Sequence, residues 1–306
     1  MHVRLIRAVD APGHSGPWNG QYALQKQLRR RMAEGLDWLS IGGSLEEGEL
    51  AWFWCWLDRA DAARWARRGR PFVQGPNTVF LHSRRPRSDR LECIVLDAAS
   101  CRLMFTESEW YRRLITEHRG RENRAPVVLW PYPIDPRPEG PAQSPEHDLL
   151  IYVKSRQYAG LVDQLRARYP RSVAIYYGRY RREELWDRAR RSRCCCYVAD
   201  DDRGPLALAE ILLCGCPTIG VPTGAPFVRP GQTGILVEQF SPAGCAEAIQ
   251  RCLALDRAAV AALAAEQFDA DRIVDTVIAS LEAARRGADF LVRHAPVVGS
   301  SITTCR

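Results

Sequence analysis

Short apolar runs alternate with amphipathic stretches along most of this chain, and the two periods separate candidate strands from candidate helices. Residues 3–9 read as a buried strand. A loop rich in Gly and Pro comes next over 11–20, then an amphipathic helix over 21–35 closed by its glycine. Residues 37–41 form a short strand ending at Gly42-Gly43. Residues 50–57 are dense in aromatics (Trp52, Phe53, Trp54, Trp56), and their pattern fits either a strand or a helix. A helix over 58–69 precedes a strand over 71–74. Residues 92–96, 102–106 and 127–130 are further strand candidates, and 108–118 is a helix with Ser108 as its N-cap. Residues 131–145 carry Pro131, Pro133, Pro136, Pro138, Pro141 and Pro145 among few apolar side chains, which marks a linker.

Beyond that linker the alternation restarts. Strands are expected over 149–153, 172–177, 194–199, 217–221 and 234–237. Helices are expected over 159–168, 182–191, 205–214 and 242–255, with a helical tail over 257–286. Such alternation builds parallel sheets with helices on both faces. Two units joined by a Pro-rich linker imply a cleft, with the carboxyl ends of the strands facing it.

Composition adds exclusions. At 306 residues the chain can bury a sizeable core in two domains, and 46% hydrophobic with 26% charged residues is the balance of a globular protein. No run of 18 or more apolar residues predicts a membrane-spanning helix, and the first residues lack the apolar core of a signal peptide. The formal net charge of +7 is nearly all arginine, with Lys26 and Lys154 the lysines, and it falls about evenly on both halves. That spread argues against a dedicated nucleic-acid domain and leaves room for an anionic ligand. The eleven cysteines are odd in number and mostly sit in apolar runs, so reduced thiols in a cytoplasmic protein are expected. Adjacent cysteines on a strand point to opposite faces, so Cys194-Cys195-Cys196 reads as buried hydrophobes and not as a metal cluster.

The most informative segment is 199–220. Asp202 precedes a glycine-containing turn, Gly204-Pro205. Glu210 lies eight residues later inside an apolar helical run, and Gly215-Cys216-Pro217 ends that helix. A turn of this kind aims backbone N–H groups and a helix N-terminus at one point, as a diphosphate requires. A carboxylate further along the helix can accept hydrogen bonds from a sugar diol.

Residues 202–210 resemble the Glu-x7-Glu motif of GT-B glycosyltransferases of the retaining GT4 type (glycosyltransferase group 1), with Asp in the first place. Residues 209–219 and 226–237 resemble stretches of the same family in the same order. The resemblance implies an α/β fold of the GT-B kind: two Rossmann-like, doubly wound parallel-sheet domains facing a cleft. Residues 1–145 would be the acceptor domain, 146–286 the nucleotide-sugar domain, and 287–306 a tail packing back on the first. It implies a nucleotide diphosphate-sugar co-substrate, UDP- or GDP-linked, with no further cofactor and no metal.

Carried over residue by residue, Glu210 would hold the ribose hydroxyls and Asp202 the transferred sugar. Gly204, Pro205, Leu206 and Ala207 would face the diphosphate, with Lys154 and Arg156 as its cations. Tyr177, Gly178 and Tyr180 would sit beside the nucleobase. Gly16 and Gly20 belong to the loop expected over the donor phosphate or the acceptor. Asn77 and His14 are the candidates to assist at the sugar carbon, since the histidine that the family often carries after the strand at 71–74 is replaced by Gly75-Pro76-Asn77, with His82 further on.

The acceptor expected is a hydroxyl, on a saccharide, a lipid-linked saccharide or a hydroxylated DNA base. A degenerate module that binds the nucleotide-sugar without turnover is the other reading. Asp200-Asp201-Asp202 also has the look of a metal-binding Asp-x-Asp, but the helix and Gly-x-Pro beyond it fit the diphosphate turn better. The arginines over 179–193 form a basic face that Glu183, Glu184 and Asp187 can pair, or that an anionic acceptor can contact.

Overall fold

The computed structural model describes residues 1–11, 16–82, 87 and 89–287. His14 and the tail beyond Gly287 lie outside the described residues. Six parallel strands form the first sheet: β1 (Val3–Leu5), β2 (Leu39–Ile41), β3 (Leu50–Phe53), β4 (Phe72–Gln74), β5 (Cys101–Thr106) and β6 (Val127–Leu129). Their order is β2-β1-β3-β4-β5-β6. Helices α1 (Gly16–Ala33), α2 (Arg59–Arg67), α3 (Arg90–Asp97) and α4 (Glu109–His118) connect them. The second sheet holds β7 (Leu149–Val153), β8 (Ser172–Tyr176), β9 (Cys195–Val198), β10 (Thr218–Gly220) and β11 (Gly234–Leu236), in the order β11-β10-β9-β7-β8. Its helices are α5 (Ala159–Arg168), α6 (Arg182–Arg190), α7 (Leu206–Leu213), α8 (Pro242–Leu253), α9 (Arg257–Gln267) and α10 (Ala270–Arg286). All strand pairs are parallel, and in both sheets the order reverses beside the first strand of the unit.

A parallel sheet must be covered on both faces, and the strands show how. On β3, Ala51 and Phe53 face the core beneath α2 and α3, while Leu50 and Trp52 face the opposite layer. On β7, Leu149, Ile151 and Val153 face one core and Leu150 and Tyr152 the other. The three cysteines of 194–196 obey this alternation: Cys195 joins the central layer, and Cys194 and Cys196 the outer one, all wholly buried. The central layer is continuous. It runs from the inner face of the first sheet, through residues of α1, α7, α9 and α10, to the inner face of the second. Trp52, Phe53 and Trp54 are core, whereas Trp56 is exposed.

The linker over 131–145 contains no helix or strand and is pinned by side chains. Arg190 Nε donates to the Gly140 carbonyl at 2.9 Å, and Arg257 Nη1 to that of Ala142 at 3.1 Å. Helix α10 crosses back to the first half. Arg31 pairs with Asp275 at 2.8 Å, and Arg102 Nη1 donates to the Ala284 carbonyl at 3.3 Å. No helix among the described residues is long and apolar enough to cross a membrane.

Four stretches differ from the sequence reading. Residues 92–96 are helical, because Asp89 caps α3 by accepting from the N–H groups of Leu91 and Glu92. The aromatic stretch divides into β3 and a 3-10 turn over Trp56–Asp58. The tail over 257–286 is two helices, broken where Asp269 accepts from the Arg272 N–H to start α10. Helix α1 begins at Gly16 and not at 21, so Gly20 is helical; Pro17 falls in its first turn, where a missing N–H costs no helical bond.

Gly20 carries a packing constraint. A Cβ there would collide with the ring of Tyr132, which is itself buried. Replacing a mid-helix glycine by alanine normally stabilises by about 0.5–1 kcal/mol. Overpacking a filled site costs about 1–3 kcal/mol. The second effect is expected to win: Gly20→Ala should lower stability by about 1 kcal/mol or more in urea denaturation, and a stabilised variant would contradict this packing.

Candidate functional site

A cavity of about 280 Å³ opens at the carboxyl ends of strands from both sheets. One wall comes from the loops after β4, β5 and β6: Asn77, Phe80, His82, Glu107 and Tyr132. The other comes from β7, β8 and β9 and the loops at their carboxyl ends: Tyr152, Lys154, Tyr177, Tyr180, Tyr197 and the run Asp201–Ala207. This second wall lies at the reversal of strand order, between β7 and β9, where open α/β sheets place ligands.

Helix α7 points its N-terminus here. Its first helical bond runs from the Ala209 N–H to the Pro205 carbonyl at 3.1 Å, so the N–H groups of Leu206 and Ala207 lie ahead of the intrahelical ladder. Its N-cap residue, Pro205, makes no side-chain cap hydrogen bond. Uncapped N–H groups and the positive end of the helix dipole suit an anion. Lys154, immediately after β7, brings its ammonium to 2.7 Å from Asp202 Oδ2 and lies over the ring of Tyr177 at 5.1 Å. Tyr197 donates its hydroxyl to the same Asp202 oxygen at 2.9 Å. Tyr197 stacks on Tyr152 at 4.7 Å between ring centres, and the Tyr152 and Tyr180 hydroxyls are 3.0 Å apart. Burial pushes all three phenols up, Tyr180 to about 12, so they stay protonated and can donate.

The cleft is bridged just before α7. Arg203 reaches the first half, its guanidinium 3.7 Å from the centre of the Phe80 ring and its Nη1 2.9 Å from the Val79 carbonyl. Trp110 Nε1 donates to the Asp202 carbonyl at 3.1 Å. Gly204 sits against the side chain of Glu107, and a Cβ at 204 would fall 2.6 Å from Glu107 Cβ. Glycine is therefore what lets the turn close onto that wall.

Glu210 occupies a different place. It is buried on α7, outside the cavity lining, and pairs with Arg182 Nε at 2.5 Å. Arg182 also donates to the Asp135 carbonyl at 3.2 Å and stacks on Trp186 at 4.7 Å. Burial pushes the Glu210 carboxyl up and the guanidinium draws it back, with a net rise.

Of the other expected residues, Asn77 is buried at the cavity wall and donates to the Tyr132 hydroxyl at 2.7 Å. Gly178 forms the turn after β8 with φ +74°. Arg156 is exposed in the turn after β7 and is not part of the lining. Gly16 begins α1, and Gly20 faces Tyr132. Part of the basic face is held by acids near or far in sequence: Arg182 by Glu210, Arg191 by Asp187 and Glu146, Arg190 by Glu139, Arg193 by Asp148.

The sequence reading assigned no role to Glu107, Tyr132, Tyr152, Tyr197 or Arg203, and took Arg182 only as part of the basic face. For Glu107 a signal existed: it directly succeeds a strand whose carboxyl end faces the cleft. Tyr152 and Tyr197 read as ordinary strand residues and Tyr132 as part of the linker, and the Arg182–Glu210 pair spans 28 positions.

Removing Arg182 would leave a buried carboxylate unpaired, a loss that generally costs about 3–5 kcal/mol. Arg182→Ala should therefore be markedly destabilised at neutral pH. Protonated Glu210 needs no cation, so the deficit relative to wild type should shrink as pH falls through the carboxylate range. Urea midpoints between pH 4 and 8 check this, and a deficit that grows on acidification would refute it.

No protein-family model and no curated protein matches the sequence. Among solved structures the chain is similar to AviGT4, a glycosyltransferase involved in avilamycin A biosynthesis, with a TM-score of 0.54 and 16% identity over 94% of this chain and 98% of that one. It is similar to Anabaena Alr3699/HepE in complex with UDP and glucose, with a TM-score of 0.65 and 13% identity over 92% and 99%. It is also similar to the lipopolysaccharide outer core galactosyltransferase WaaB, with a TM-score of 0.61 and 10% identity over 92% and 99%. At such identities the likeness is one of architecture. The chain has the GT-B fold, two Rossmann-like parallel-sheet domains facing a cleft.

Proposed function

We propose that this chain is a glycosyltransferase that moves a sugar from a nucleotide diphosphate-sugar to a hydroxyl acceptor, with retention of configuration and without a bound metal. The observation that carries the reading is the cavity itself. An uncapped helix N-terminus, a lysine, an aspartate and neutral tyrosine donors converge at the strand-order reversal of the second sheet. HepE, which shares the architecture, was solved with UDP and with UDP-glucose.

In this reading the second domain binds the donor and the first binds the acceptor. The N–H groups of Leu206 and Ala207, with Lys154, stabilise the diphosphate as it leaves; preorganised donors at developing charge are the usual electrostatic part of catalysis. Asp202 holds a hydroxyl of the transferred sugar. Tyr177, exposed beside Lys154, offers its face to the base. Glu210 holds the ribose, which requires the diol to share or replace the Arg182 contact. The cytoplasm, where nucleotide-sugars are at hand, is the compartment this function suits.

The direct test is a panel of UDP- and GDP-sugars, read by thermal shift and by release of nucleoside diphosphate. Binding of at least one is expected, and none would overturn the reading. Glu210→Gln should weaken that donor's binding about tenfold to a hundredfold, as expected for hydrogen bonds to a charged acceptor worth about 1.5–3 kcal/mol. An unchanged dissociation constant would remove Glu210 from the donor site. The anomeric configuration of the product, read by proton NMR, decides retention.

A further inference from the structure

Of the carboxylates that line the cavity, Asp201 and Glu107 have no part in these roles, and Glu107 is the buried one. Glu107 comes directly after β5, is only 4% exposed, and lines the cavity. Its Oε2 has no hydrogen-bond partner among the described residues. Burying such an oxygen without a partner is costly, and the charge of Arg203 relieves that cost only in part. The nearby Arg203 spends its Nη1 on the Val79 carbonyl. Asp202 is occupied by Lys154 and Tyr197 and adds like charge. Gly204 allows the Glu107 side chain to press against the turn that leads into α7, so the carboxyl sits on the diphosphate side of the cavity.

We propose that Glu107 is a catalytic residue, the proton acceptor for the incoming hydroxyl. The proposal rests on the glycosyltransferase reading. The acceptor O–H proton passes to the Glu107 carboxylate. The acceptor oxygen bonds to the anomeric carbon, the bond from that carbon to the phosphate oxygen breaks, and the nucleoside diphosphate leaves with the electron pair. Position decides between this role and that of a covalent nucleophile. In-line displacement needs the nucleophile opposite the leaving group, whereas Glu107 lies beside the turn that would hold it. A base on the leaving-group face receives a hydroxyl that approaches from that same face, which is the direction that retention requires.

Burial, strengthened by Asp202 and opposed by Arg203, pushes the Glu107 carboxyl up to about 7. A base is most effective near the working pH. Its neighbours are Asp201, Asp202 and Arg203 before α7, Lys154 after β7, His82 after β4, Tyr132 after β6 and Tyr111 on α4. His82 lines the same cavity, so it needs its own control.

The experiment measures nucleoside diphosphate release from UDP-glucose, UDP-galactose and GDP-mannose, with water, glycerol and methyl glycosides as acceptors, across pH 5–9. The carboxylate must be deprotonated to act, so wild-type kcat/KM should fall as pH drops below about 7. Glu107→Gln should lose kcat by about a hundredfold or more while keeping the donor dissociation constant within about threefold, and its acid limb should vanish. Glu107→Asp should recover part of kcat, and His82→Ala should keep the limb. An unchanged kcat, or an acid limb surviving in Glu107→Gln, overturns the proposal. So does a loss confined to donor binding and thermal stability, which would make Glu107 a counter-ion for Arg203. A wild-type chain that binds donor without turning it over also overturns it. If the wild type binds no nucleotide-sugar, the glycosyltransferase reading falls first, and this one with it.

Discussion

Two all-parallel sheets each need cover on both faces, and this chain meets the requirement by sharing one layer between them. The outer faces have their own helices, α2 to α4 on one side and α5 with α8 on the other. The inner faces are joined through one continuous apolar layer that α1, α7, α9 and α10 help to fill. Burial of that layer is the interaction on which the rest depends. It sets the two sheets facing each other and leaves the space at the carboxyl ends of their strands unfilled by apolar side chains. Where the layer ends, polar groups take over: Lys154, Asp202, Glu107 and the tyrosines.

The polar site obeys the electrostatics of enclosed charge. Asp202 and Glu210 are both buried, and each is held by a cation from elsewhere in the second domain, Lys154 and Arg182. Arg203 spans the cleft by stacking on Phe80 and bonding the Val79 carbonyl. Against this background Glu107 is the exception, a buried carboxyl whose Oε2 lacks a partner among the described residues. A fold that pairs Asp202 and Glu210 and leaves this acid open has kept a proton-accepting atom inside the cavity.

Much of the architecture was legible in local pattern. Runs such as 149–153 are apolar throughout because the strand is buried on both faces, and Pro residues over 131–145 exclude regular structure. Misreadings came where a single side chain set the boundary. Asp89 turned an apolar strand-like stretch into α3, and Asp269 split the tail into α9 and α10. The start of α1 moved because glycine and proline, read as loop residues, are both tolerated where the helix begins.

The sequence by itself determined the two-unit alternation, the linker, and the turn from Asp202 to Ala207 that leads into α7, because each depends on neighbours within a few residues. The same local logic placed Lys154 at the end of β7 and Tyr177 at the end of β8. Only the tertiary structure decided which side chains meet. Glu210 lies on an apolar helix in any reading, but its pairing with Arg182 rather than its presence in the cavity results from how α6 packs on α7. Glu107 gains its raised proton affinity from burial and from Asp202, against the pull of Arg203, both of them roughly a hundred residues away in the chain. Desolvation and Coulomb interaction act through space, so no reading of neighbours along the sequence could have supplied them.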